Sequence, residues 1–237
     1  MRFFFLILLI AFPLFLFSQR KVDRFNLLWA NYQNILRLNN RWEVLSDAQF
    51  RSKEITRSWF LFALRSGLSY KLNDKYKIAA GFCWFGVPVN NSTQFTLRNE
   101  WRPWQDITRM GKFNRTDFIQ RLRLEERFLP MRSADNGTVH DLTLRLRYKI
   151  DFEKFINHSR WMVRVGDELM VNPEYIGNNQ FFDQNRLYAA MGYKFNKQFQ
   201  CNLMYIKIYQ WRNAAETLED QNVFRVNFIH QLSLLKL

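Results

Sequence analysis

Residues 94–128 read QFTLRNEWRPWQ, then DITRMGKFNRT, then DFIQRLRLEERF. In the last of these runs Arg121, Arg123, Glu125 and Arg127 fall on one side of an extended chain, with Ile119 joining them near its start. Leu122, Leu124 and Phe128 fall on the other side, and Glu126 is the exception. In the first run Arg98, Glu100 and Arg102 share one face, while Phe95, Leu97 and Trp101 share the opposite one. A period of two with apolar residues on one side is the signal of a half-buried strand. The stretch between these runs, 105–116, reads as a connection. The charged side is unusual for a solvated sheet, because it is a ladder of Arg and Glu able to neutralise one another between neighbouring strands.

The same alternation continues outward in both directions. Leu142, Leu144, Leu146, Tyr148 and Ile150 oppose Thr143, Arg145, Arg147 and Lys149. Trp161, Val163 and Val165 oppose Arg164, Gly166 and Glu168, and Leu187, Ala189, Met191 and Tyr193 oppose Arg186, Ala190, Gly192 and Lys194. Towards the N-terminus, Asp47 and Arg65 sit on the polar faces of their segments, and Arg225 and Asn227 do so in the last. Segments of roughly ten to fifteen residues recur along the whole chain, with no sustained helical period and no long apolar helix after the N-terminus. Asn39-Asn40, Asn73-Asp74 and Asn196-Lys197 are tight turns. The other connections are longer, at 52–56, 86–93, 130–138, 172–183 and 212–221. Short turns alternating with long loops predict an antiparallel meander that closes into an all-β barrel. The segments number eleven, and single-chain bacterial barrels have even counts, so ten or twelve strands are expected.

The first residues decide the compartment. Met1-Arg2 precedes a sixteen-residue apolar run, Phe3 to Ser18, and then Gln19, Arg20 and Lys21. One positive charge, a short apolar core and a small residue at a polar boundary predict a secretory signal peptide over 1–18, cut between Ser18 and Gln19. Residues 19–237 then form one barrel domain, a length at which all-β barrels fold as a unit. Cys83 and Cys201 match no metal spacing, and a packing role as small hydrophobes is expected of both, with a disulfide between them in an oxidising compartment as the alternative.

A barrel with one apolar face must bury it inward in water or present it outward to lipid. Aromatics make up 17% of the chain, and many lie near segment ends: Trp29, Trp59, Trp84, Trp101, Trp104, Trp161, Tyr193 and Trp211. That suits girdles at the two membrane interfaces. Gly67, Gly81, Gly166 and Gly192 sit among the charges and are expected to make room for long Arg side chains inside a narrow lumen. The expected fold is therefore a transmembrane barrel with a polar Arg/Glu-lined interior. A soluble, secreted or periplasmic lipocalin-like barrel with the faces reversed, binding a small or lipidic ligand, is the alternative.

NEWRPWQ (99–105), RLRLEERF (121–128), RLRY (145–148), Asp167-Glu168 followed by Asn172, and FDQNRLY (182–188) before Gly192-Tyr193 resemble, in order and spacing, the bacterial domain-of-unknown-function 2490 family of outer-membrane β-barrel proteins. The likeness covers most of the chain after the leader. It implies an outer-membrane barrel of a Gram-negative bacterium and no particular reaction. Many bacterial barrels end in an aromatic residue read by the barrel-assembly machinery, whereas this chain ends Leu235-Lys236-Leu237.

The residues point to no enzyme. An acyl-transfer site, as in an outer-membrane lipid-modifying hydrolase, needs a nucleophile and a His base held by a third group. His140, His158 and His230 are the candidates, and none lies in a nucleophile motif. There is no catalytic set, no metal spacing and no cofactor fingerprint. The candidate site is the lumen charge network: Arg98, Glu100, Arg102, Arg121, Arg123, Glu125, Arg127, Arg145, Arg147, Arg164, Glu168 and Arg186. It suits either an internal brace that fills a small lumen or a narrow anion-preferring passage. The net charge of +14 is spread along the strands. With export and no binding module, that argues against nucleic acid and for outer-membrane lipids and lipopolysaccharide phosphates at the rim. The barrel is expected to be a monomer.

Overall fold

The computed structural model describes residues 22–53, 58–91, 94–132, 138–157, 159–177, 180–212 and 217–235. The expected signal peptide and its cleavage point lie outside them. The strands are β1 (Val22–Arg37), β2 (Trp42–Lys53), β3 (Ser58–Lys71), β4 (Tyr76–Asn91), β5 (Gln94–Phe113), β6 (Thr116–Arg132), β7 (Thr138–Phe155), β8 (Trp161–Val171), β9 (Phe182–Lys194), β10 (Phe199–Arg212) and β11 (Thr217–Ser233). A 3-10 turn, Pro173–Tyr175, interrupts the loop after β8.

Each strand pairs with the next in chain order, antiparallel throughout, and β1 closes on β11. This is the expected closed meander. Its eleven strands among the described residues fall between the two even counts expected. Oddness has a consequence for closure. In an up-and-down chain an odd number leaves the first and last strands running the same way, so the seam is parallel, from Val22 opposite Leu218 to Arg37 opposite Ser233. Closure removes the exposed edges that an open sheet would carry.

Several strands run further than the alternation suggested, β4, β5 and β11 the furthest. The connection expected at 105–116 is strand to Phe113, and only Asn114-Arg115 turns the chain, with Asn114 at φ 55. Outward Gln105 and Arg109 hide the period there, and Pro103, which has no N–H to give, coincides with a gap in the β5–β6 ladder between Trp101 and Trp104. Likewise 86–91 belong to β4 and 217–221 to β11, both expected to be loop. Once a neighbouring strand offers hydrogen bonds, Gly, Pro and Asn near a strand end do not stop the ladder.

Three tight turns at one end of the barrel share one device. Asn39 Oδ1 accepts from the backbone N–H of Arg41 and Trp42, both at 2.9 Å. Asn73 does the same for Lys75 and Tyr76 (2.9 and 3.0 Å), and Asn196 for Gln198 and Phe199 (both 2.8 Å). The amide side chain thus satisfies donors that the reversal leaves free.

The faces sort as a membrane barrel requires. Phe82, Leu187 and Leu203 point outward and are 58, 58 and 62% exposed, whereas Glu125 and Trp104 point inward at 2 and 1%. This is the reverse of the lipocalin-like alternative, whose apolar face would line the interior. Outward aromatics touch one another around the turn end: Trp42 with Tyr70 at 4.7 Å between centroids, and Trp161, Tyr193, Phe195 and Phe199 in succession at 4.8, 5.0 and 5.6 Å. Trp101 is outward and exposed as the girdle expectation had it. Trp84 and Trp211 also have outward parity. Trp29 and Trp104 do not belong to a girdle: both are buried in the lumen. The Trp59 side chain lies outside the described residues. Cys83 faces in and Cys201 faces out, so the two free thiols stand on opposite sides of the wall.

Candidate functional site: the charged lumen

The inner surface has two kinds of wall. On β1, β10 and β11 it carries an apolar cluster, Leu27, Trp29, Ile206, Ile208 and Val223 packed against Tyr188 of β9, with buried Asn31, Asn202, Gln221 and Asn227 beside it. A smaller apolar cluster, Ala63, Cys83, Phe85 and Trp104, covers β3 to β5. Between them, across β5 to β9, runs a band of arginines and carboxylates.

Register builds this band. Arg123 stands opposite Arg147, and Glu125 opposite Arg145. Glu168 of β8 stands opposite Lys149 and Arg186. Like charges directly opposite would repel, so the arginines reach diagonally for carboxylates. Arg147 bridges two of them, giving Nη1 to Glu125 at 2.5 Å and Nη2 to Glu168 at 2.8 Å. Glu168 also takes Arg121 at 2.9 Å and lies 3.6 Å from Arg186, so four strands meet on one carboxylate. Glu100 receives Arg102 through a two-pronged pair (2.6 and 3.0 Å) and Arg127 at 3.0 Å. Arg102 in turn lies 3.7 Å from Glu125, which joins the two groups into one network. The planar guanidinium fork suits such shared pairing better than a point charge would.

Eleven of the twelve expected residues thus face inward and are paired, though Arg123, Arg145 and Arg164 bind carboxylates outside the expected set. Arg123 holds Asp106 at 2.5 Å, Arg145 holds Asp183 at 2.8 Å, and Arg164 pairs with Glu153. Arg98 is the exception, exposed at the long-loop end of β5 with no ion pair among the described residues. The missed carboxylates had a signal in part. Asp151 and Glu153 continue the parity of Arg145, Arg147 and Lys149, and Asp106 continues that of Arg102 past Pro103. Asp183 had none, because the register shifts between Met170 and Val171 just where it pairs. Beyond this band Arg65 binds Asp47 at 2.9 Å and Lys77 binds Glu43 at 2.8 Å.

The glycines make room for something other than arginine. Gly67, Gly81 and Trp104 are in register on three neighbouring strands. The indole lies flat over both glycines, and a Cβ on Gly67 would stand 2.6 Å from its Cζ2. Arg123 stacks on that ring, 4.1 Å from its centroid, and holds Asp106. Gly166 clears space for Tyr188 and Asp151, which hydrogen-bond each other, and Gly192 for Met162 and Asn202. His230 faces outward, bonded to the Tyr32 hydroxyl at 2.9 Å. The His140 side chain and His158 lie outside the described residues.

A family model described as a protein of unknown function (DUF2490) matches residues 26–219, from β1 to the start of β11. Among solved structures, a NanC porin in a rhombohedral crystal form is similar at 10% identity and a TM-score of 0.48, covering 81% of this chain and 90% of that one. No curated protein matches.

Proposed function

We propose, for a chain that belongs to the DUF2490 family of proteins of unknown function, that it is an outer-membrane barrel of a Gram-negative envelope, braced from within by its own ion pairs and serving as a scaffold rather than an enzyme. One observation carries the membrane reading: a closed barrel exposes large apolar side chains on its outer face and buries its charges inside. In water that outer face would be an aggregation surface, and in lipid it is the solvated side. Exposed cations at the long-loop end, Arg98 and Arg24 (81% exposed), fit contact with lipopolysaccharide phosphates. Fractionation with gel mobility before and after boiling tests this. The folded chain is expected in the outer-membrane fraction, with mobility that changes on boiling. Recovery from the soluble periplasm would refute it.

The brace supports a closed lumen. Side chains of Glu125, Glu168, Arg123 and Asp151 across its middle are less than a tenth exposed. Purified protein in planar bilayers is therefore expected to show no steady ionic current. A second reading, a narrow anion-preferring passage, is favoured by lumen arginines that lack carboxylates, and a steady anion-selective current would put it in place of the scaffold.

A further inference from the structure

Two inward arginines stand outside the brace. Arg51 on β2 and Arg225 on β11 flank Trp29 on β1, which is the register partner of both. Neither makes an ion pair among the described residues. The Arg51 guanidinium lies 3.9 Å from the centroid of the Trp29 ring and gives Nη2 to the neutral Gln49 at 2.9 Å. The Nη2 of Arg225 lies 3.0 Å from the side-chain amide of Asn31, a neutral group that accepts from it when its oxygen is turned that way. Arg186 approaches the same ring from β9, with Cζ 5.5 Å from the centroid. Its carboxylate, Glu168, is 3.6 Å away and already committed to Arg147 and Arg121.

Donors are left over here. The Nε of Arg51, the Nε of Arg225 and the indole N–H of Trp29 are buried with no acceptor. An enclosed guanidinium without a countercharge is costly, and the apolar wall behind it, Ile208 and Val223 included, offers none. Yet these side chains are not sealed off. Arg51 and Arg225 are partly exposed, and Arg186 keeps 15% of its side-chain surface. Arg51 lies two residues from the end of β2 and Arg186 four from the start of β9, both at the long-loop end.

We propose that Arg51, Arg186 and Arg225, gathered around Trp29, form a lumen site for a small solute bearing an oxyanion, a carboxylate or a phosphate. Guanidinium forks match both groups bidentately. Among the described residues, the buried arginines of β5 to β8 spend their charge on carboxylates, whereas Arg51 and Arg225 pair with none. The site rests on the reading that the polar face lines a closed lumen, and it is distinct from conduction, since a solute can bind at these arginines without crossing the brace.

The test is calorimetric titration of the full chain, refolded in detergent micelles and verified by heat-modifiable mobility, with sodium phosphate and separately with sodium citrate, at ionic strength held constant with chloride. Saturable binding is expected for at least one, and the stronger of the two identifies the oxyanion class. Arg51→Gln and Arg225→Gln are each expected to weaken it at least tenfold, while Arg109→Gln on the outer face leaves it unchanged. Should the variants not fold, an oxyanion-dependent rise in the thermal midpoint of the wild-type barrel, absent in chloride, supports the site by itself. A folded barrel that binds neither anion, or folded variants with wild-type affinity, overturns it. A chain that never shows heat-modifiable mobility overturns instead the barrel reading beneath it.

Discussion

Glu168→Gln is expected to destabilise the barrel by about 3–5 kcal/mol, the usual cost of removing one partner from a buried ion pair. The carboxylate of Glu168 is the acceptor shared by Arg121 and Arg147, with Arg186 close by. An amide of the same size keeps the packing and removes the charge, so guanidinium groups in a lumen closed to lipid lose their counterion. Arg147 retains Glu125, but Arg121 has no second carboxylate among the described residues. Arg121→Gln added to Glu168→Gln should therefore cost less than the two changes summed, because it withdraws the stranded charge. Asp74→Asn, which removes the solvent-exposed pair with Lys71, should leave stability where it is. Urea titrations of folding into phospholipid vesicles, followed by tryptophan fluorescence, measure all of these. If the midpoint for Glu168→Gln stays at the wild-type value, the network fills space without bracing the barrel.

Gly81→Val is expected to cost at least the upper end of the about 1–3 kcal/mol typical of overpacking, read as a loss of the heat-modifiable folded band on a gel. A Cβ at this position meets the Ser66 carbonyl oxygen, the Gly67 Cα at 2.5 Å and the Trp104 ring at 2.8 Å. The first two are backbone of the neighbouring strand and have no rotamer to yield. Displacing the indole would also unseat Arg123 from its face and strain the pair with Asp106. Gly111→Ala is the matched control, since a Cβ there finds nothing nearer than 3.9 Å. Equal stability of Gly81→Val and wild type would show that Trp104 is not held against the glycines.

Parity was the most legible property of this chain. Arg121, Arg123, Glu125 and Arg127 could be placed on one face because alternation is written residue by residue. Legibility failed where a strand broke its own pattern. Pro103 and the outward polar residues Gln105 and Arg109 concealed the second half of β5, and with it the shared parity of Trp104 and Asp106 with Arg102. Trp104 and Trp29 then looked like interface aromatics, although their parity put them with the charges. Glu126, the odd residue on the apolar face of β6, found its explanation only across the strand pair, where it accepts from Gln105 at 3.2 Å.

The sequence by itself determined two-faced strands, asparagine-built turns between them and an antiparallel all-β meander, since each of these depends on residues close together in the chain. Tertiary structure alone decided which face is the interior, the parallel seam between β1 and β11, and every specific partner in the lumen. The physical reason is that a two-residue slip between strands keeps each side chain on its face while exchanging all of its neighbours. Alternation therefore specifies the side of the wall but not the register. Register decides that Gly67, Gly81 and Trp104 align, that four strands converge on Glu168, and that Arg51 and Arg225 meet at Trp29 with no carboxylate between them.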